Sequence, residues 1–175
     1  MKQEQANLKP SLYWKHILVP VDCSDASKYA LNMAAGLAEQ SGARLTLLHI
    51  IHVASCYPPD ALQDMDDIMN CARDSLETTC RGVSPDLIRQ KLAVFGKKEI
   101  SEEIIQAALD LPADLIVIAS HGRSGLGRFL QGSIAEKVVR HAPCPVLVMQ
   151  AAKNIPKQAH HHFAEPMNPF KKTGT

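Results

Sequence analysis

The stretch Gly122–Ser133, GRSGLGRFLQGS, holds the residues best suited to chemistry. Its glycines, Gly122 and Gly132 above all, allow backbone amides to approach a ligand where a Cβ would stand in the way. Gly132-Ser133 opens a helical pattern, so free N–H groups and the positive end of a helix dipole meet at one spot. Such a spot suits an anion, and phosphate in particular. Arg123 and Arg128 add positive charge. A purely structural explanation is also available. Ser133 and Glu136 have the S-x-x-E spacing of a capping box, and loop glycines often do no more than make turns. The pattern is not GxxxxGK[ST], and no lysine stands where a P-loop requires one.

A second candidate is Asp22, at the end of the run HILVPVD. Its carboxylate suits an acceptor role toward ribose hydroxyls or an adenine amine, although a turn acceptor capping the next helix explains it equally well. His121 is placed to contact phosphate, but no acid or base partner for catalysis is visible beside it. His49 and His52 fall on opposite faces of a strand, which rules them out as a metal pair. His160–His162 read as part of a solvated tail. No GxSxG elbow or HExxH motif occurs. Five cysteines, without CxxC spacing, read as free thiols of a reducing cytoplasm rather than a disulfide or zinc framework.

These residues need a scaffold to bring them together. The chain has 175 residues, 46% of them hydrophobic and 21% charged, enough for one domain with a proper core. Net charge is +1, so nothing argues for a nucleic-acid partner, and any anion site must be local. The apolar runs are too short for membrane insertion, and the polar start does not resemble a secretory signal. Strands are expected at His16–Asp22, Arg44–Val53, Leu87–Phe95, Asp114–Ser120 and Pro145–Gln150. The third is broken by charges, which suggests an edge position. Helices are expected over Ala26–Gln40 (capped by Ser24 or Asp25 and closed at Gly42), residues 60–82, Ser101–Leu111 (capped by Ser101) and Ser133–His141.

This alternation predicts an α/β fold with a parallel sheet covered by helices on both faces. If the strand order is 3-2-1-4-5, Asp22 and Ala119-Ser120-His121-Gly122 flank one crevice at the carboxyl ends of neighbouring strands, where such sheets bind ligands. Residues 1–14 read as a leader, 15–150 as the domain, and 151–175 as a disordered tail. Val146–Met149 is apolar and follows two prolines, so it is expected at a sheet edge where a second copy would pair with it to form a homodimer.

The loop together with EKVVRHAPCPVLVM (Glu136–Met149), ILVPVDCSD (Ile17–Asp25) and LLHII (Leu47–Ile51) resembles the universal stress protein family across residues 15–150. Nucleotide-binding members carry G-x-x-G, nine residues, then G-[S/T]. Here Ala119-x-x-Gly122, nine residues and Gly132-Ser133 stand in those places, with alanine replacing the first glycine. The resemblance implies a five-stranded, Rossmann-like sandwich, usually dimeric, with ATP in the crevice between strands 1 and 4. It also implies that Pro20, Val21 and Asp22 border adenine and ribose, that Ile50 packs on the base, and that Ile118 and Ala119 line the ribose side. His121, Gly122, Gly132, Ser133 and Ile134 would then surround the phosphates.

The expected function is therefore an ATP-binding regulatory or stress-response protein of the cytoplasm with an unidentified protein partner. AMP or another adenine nucleotide is an alternative ligand, and Mg²⁺ would arrive with the nucleotide. Hydrolysis should be slow or absent, because no general base or nucleophile is evident beside the loop. The rival reading is a nucleotide-independent dimeric interaction protein of the same fold. An enzyme of related architecture would need a further catalytic constellation, and none is found.

Overall fold

Strand β1 (His16–Pro20) is buried at all five residues, as a strand covered on both faces of a sheet must be. The computed structural model describes residues 13–52, 65–120 and 134–150. After β1 come α1 (Asp25–Ser41), β2 (Arg44–Ile51), α2 (Met65–Thr79), β3 (Ile88–Phe95), α3 (Ile100–Asp110), β4 (Leu115–Ala119), α4 (Ile134–His141) and β5 (Val146–Met149). The strands form one parallel sheet in the order β3-β2-β1-β4-β5. This is the order expected, with β3 at one edge and β5 at the other. The direction of winding reverses between β1 and β4, making that seam the topological switch point.

Alternate residues along each strand feed opposite layers. Ile17, Val19, Leu45, Leu47 and Val117 pack with Ala30, Leu31 and Ala34 of α1 and Leu76 of α2. On the other face Leu18, Leu48, Ile116 and Ile118 pack with Ile104 and Ala108 of α3 and Ala135 and Val138 of α4. Each fully buried leucine or isoleucine among them contributes roughly 1.5–3 kcal/mol. Trp14 packs against the first layer.

Several element ends have identifiable causes. Ser24, not Asp25, caps α1: its hydroxyl accepts from the Ser27 amide. Gly42, at φ 74°, closes the helix with its N–H on the Ala38 carbonyl. Strand β2 stops at Ile51, short of Val53. Helix α2 ends at Thr79, before 82, because the Val83 amide turns back to Cys80. Residues 60–64 of that expected helix lie outside the described residues.

The cap expected at Ser101 is not the one used. Helix α3 starts at Ile100 with Glu99 in the cap position, and Ser101 is buried in the first turn. Glu103 does the capping work from within the helix. Its Oε1 accepts from the amides of Lys97 at 2.8 Å and Lys98 at 2.9 Å.

The amino-terminal foot of the β1–β4 seam is tied by polar groups. Asp114 accepts from the Lys15 amide at 2.8 Å and the His16 amide at 3.1 Å, while its own amide donates to the His16 carbonyl. His16 is itself buried. Its Nδ1–H donates to the Leu111 carbonyl at 2.7 Å, and Nε2 lies 2.7 Å from the Thr46 hydroxyl. Both ring nitrogens are thereby satisfied, as a buried imidazole requires.

Asp114→Ala removes both accepted bonds to a charged group. It is expected to cost about 1–2 kcal/mol, at the low end for such bonds because Lys15 is at the surface. The melting temperature should fall by about 3–8 °C in a thermal scan; an unchanged value would show that the clamp adds nothing.

Candidate functional site

The crevice begins with how β1 is bonded. Its ladder with β2 runs from His16↔Arg44 to Pro20↔Leu48, and the Val21 amide extends it with a bond to the Leu48 carbonyl at 2.9 Å. The ladder with β4 pairs Ile17 with Leu115 and Leu18 with Ile116, and goes no further. Strand β4 stays paired with β5 up to Ala119↔Met149, and the Ser120 amide donates to the Met149 carbonyl. The hydrogen-bonded ladder between the two central strands thus ends short of their carboxyl ends. Pro20 supplies a cause. Successive amides of a central parallel strand point to opposite neighbours, and that of Val21 goes to β2. The donor that proline lacks is the one that would have faced β4.

The end of β1 is held by side-chain bonds. On the β1 side, His49 Nδ1–H donates to the Val21 carbonyl at 2.8 Å. Asp22 follows, and its Oδ1 accepts from the Ser24 amide at 3.0 Å and the Ser24 hydroxyl at 2.5 Å. Between them Cys23 has φ 64°, the positive-φ non-glycine residue among those described. The turn that presents Asp22 is therefore strained, by about 1–3 kcal/mol for a side chain held in that region. The helix-cap reading of Asp22 holds for one oxygen, which supports Ser24 as the α1 cap.

On the β4 side, Ile118 is buried and Ala119 is half-buried at the strand end. Ala119 belongs to a strand and has no positive φ, so alanine there carries no penalty of handedness. Ile50 is half-buried near the end of β2, and Ile134, the first residue of α4, is exposed. His121, Gly122, Gly132 and Ser133, expected around phosphate, lie outside the described residues. Of the residues expected at the site, Pro20, Val21, Asp22, Ile50, Ile118, Ala119 and Ile134 are among those described.

Three further features were not read from the sequence. The first is His49, considered only as a metal ligand, whose ring holds the Val21 carbonyl. The second is Gly96, just past β3, whose amide donates to the Ile51 carbonyl at 3.0 Å. A glycine between an apolar run and a helix was the signal available for it. The third is the ion pair between Glu99 and Lys137, which ties the start of α3 to α4. The Lys137 ammonium holds the Glu99 carboxyl below its usual range. Burial pushes the thiols of Cys80 and Cys144 up from their ordinary range. Among the described residues no group of three His, Cys, Asp or Glu is arranged to hold a metal, and no helix is long and apolar enough to cross a membrane.

The model of the universal stress protein family matches residues 14–150. A curated universal stress protein of Staphylococcus aureus (strain USA300) is 32% identical over 144 residues, covering 78% of this chain and 84% of that one. Among solved structures, hypothetical protein MJ0577 is 25% identical with a TM-score of 0.70, covering 81% of this chain and 99% of that one. A universal stress protein solved in complex with cAMP is also 25% identical, with a TM-score of 0.53 and coverages of 79% and 98%.

Asp22→Ala removes both bonds that Ser24 donates and loosens a turn already strained at Cys23. The expected loss is about 1–3 kcal/mol. Asp22→Asn, which keeps one acceptor oxygen, should lose less. Denaturant melts showing equal effects for the two would argue that the acceptor bonds are not what matters.

Proposed function

Because the chain belongs to the universal stress protein family, we propose that it binds an adenine nucleotide, ATP in the first instance, in the crevice between β1 and β4. The observation that carries this reading is the end of the β1–β4 ladder at Leu18 and Ile116, at the switch point of the sheet. The described residues fit such a ligand. Val21 and Ile118, both buried, and the half-buried Ile50 lie at the ends of their strands with apolar side chains that suit a base, and Asp22 follows just after β1. Ala119 ends β4 without a strained backbone. The relative solved with cAMP supports an adenine nucleotide as the ligand class.

In this reading Pro20, Val21 and Asp22 border adenine and ribose, Ile50 packs on the base, and Ile118 and Ala119 line the ribose side. His121, Gly122, Gly132, Ser133 and Ile134 surround the phosphates, with Mg²⁺ carried by the nucleotide. The role is regulatory, in a cytoplasmic stress response, rather than catalytic. Bound nucleotide would stabilise the β1–α1 turn and the start of α4, giving a partner protein a surface that reports nucleotide level.

Titration calorimetry with ATP–Mg²⁺ should show binding by the unmutated protein. Gly132→Val should weaken it by about tenfold or more, about 1.4 kcal/mol. Ser133→Ala should cost about 1 kcal/mol of stability as a lost cap and also weaken ATP by a comparable amount. No heat at millimolar nucleotide would end this reading and leave the nucleotide-independent interaction protein.

The homodimer is proposed through β5, an edge strand of the sheet. Leu147 is 37% exposed, while Val146 and Val148 pack toward the α3–α4 layer. The informative variant is therefore Leu147→Asp, since a charge at Val148 would disturb the core as well as the edge. Sedimentation at micromolar concentration should give a dimer for the parent and a folded monomer for Leu147→Asp. A parent that sediments as monomer would refute the pairing.

A further inference from the structure

We propose that Gly96 is a positioning residue for the base wall: it lets the end of β3 seat against Ile50 and so sets how far the Ile50 side chain projects into the nucleotide crevice. This inference rests on the nucleotide reading given above, which does not itself involve Gly96.

The argument starts from why the position is glycine. Its φ lies outside the left-handed region, so the backbone would accept any residue. Space is what excludes one. A Cβ at Gly96 would lie 2.8 Å from Ile50 Cγ2, closer than real Cβ atoms come to a neighbour. That methyl sits on the β-branch of Ile50, so it cannot swing aside as the end of a long chain would. Glu103 Cγ and the Ile51 carbonyl oxygen, each at 3.8 Å, are in ordinary contact.

The seat of Gly96 is fixed from both sides. Strand β3 pairs with β2 through Ile50↔Val94 and Ile51↔Phe95, and the Gly96 amide prolongs that ladder to the Ile51 carbonyl at 3.0 Å. Immediately after it, the Lys97 and Lys98 amides are held by Glu103 Oε1. With the main chain pinned on both sides, Ile50 is the part that must yield to a larger residue at 96. Leu48, Leu92, Val94 and Ile100 share its layer, so Ile50 yields away from β3, across the end of β2 where the nucleotide reading seats the base.

The test combines two ligands with a rescue. Gly96→Ala is expected to weaken ATP binding, measured by calorimetry, by about fivefold or more, in line with overpacking a filled site. Binding of inorganic tripolyphosphate, which has no base, should change by less than about twofold. Ile50→Leu lacks the offending Cγ2 methyl, so Gly96→Ala combined with Ile50→Leu should bind ATP as well as Ile50→Leu alone, a non-additive pair. Equal losses for both ligands, additive effects of the two substitutions, or unchanged ATP affinity in a folded Gly96→Ala would each overturn the inference while leaving the nucleotide reading intact. The rescue decides by itself if tripolyphosphate binds too weakly to measure. Should Gly96→Ala fail to fold, Glu103→Ala, which frees the Lys97 and Lys98 amides, must show the same split between ATP and tripolyphosphate, and its absence overturns the proposal. An unmutated protein that binds no ATP would remove the nucleotide reading and this inference together.

Discussion

The carboxyl end of the sheet takes its shape from an asymmetry in the bonding of β1, which is zipped to β2 along its whole length but to β4 only at its foot. A central strand of a parallel sheet would normally exhaust its amides on both neighbours. Pro20 withdraws a donor on the β4 side, and the opening lies beyond it. The foot has to be correspondingly secure. Asp114 and His16 provide that security with bonds that cross from β1 to β4, to the end of α3 and to Thr46 of β2. The seam is bonded at one end only.

The chain beyond the strand ends is held by side-chain bonds. His49 takes the Val21 carbonyl, Asp22 takes both donors of Ser24, and Glu103 takes the two amides that follow Gly96. Each of these side chains fixes main chain. This bonding explains how a strained φ at Cys23 survives. The surrounding bonds over-determine the turn, so the unfavourable conformation has no cheaper alternative.

The architecture was legible because its signals are local and strong. Apolar runs ending at proline or aspartate, and helices bounded by Ser24 and Gly42, can be read one segment at a time. The charges in β3 marked an edge strand for a sound reason, since a half-buried strand tolerates them. The less legible features depend on partners far away in the chain. Ser101 looks like a cap until Glu103 is seen to reach back to Lys97 and Lys98, and His49 looks like a ligand until Val21 is placed beside it. Gly96 carries no visible purpose until Ile50 stands 2.8 Å from its missing Cβ. The Gly122–Ser133 segment is the opposite case, distinctive as a motif while four of the contacts expected there lie outside the described residues.

The clamp at the foot of the seam also bears on how the chain is made. Lys15 and Asp114 are 99 positions apart, whereas β1 and β2 are separated only by α1. A ribosome adding about 5–20 residues per second delivers β2 seconds before it delivers β4. For that interval β1 can pair on one side only, and its other edge, apolar and central in the finished sheet, is open to strands of other nascent chains. Pro20 blunts the far end of that edge in the growing polypeptide just as it leaves the ladder incomplete in the finished one. Pro20, where the ladder to β4 goes unfinished, thus also offers one donor fewer to a neighbouring chain during synthesis.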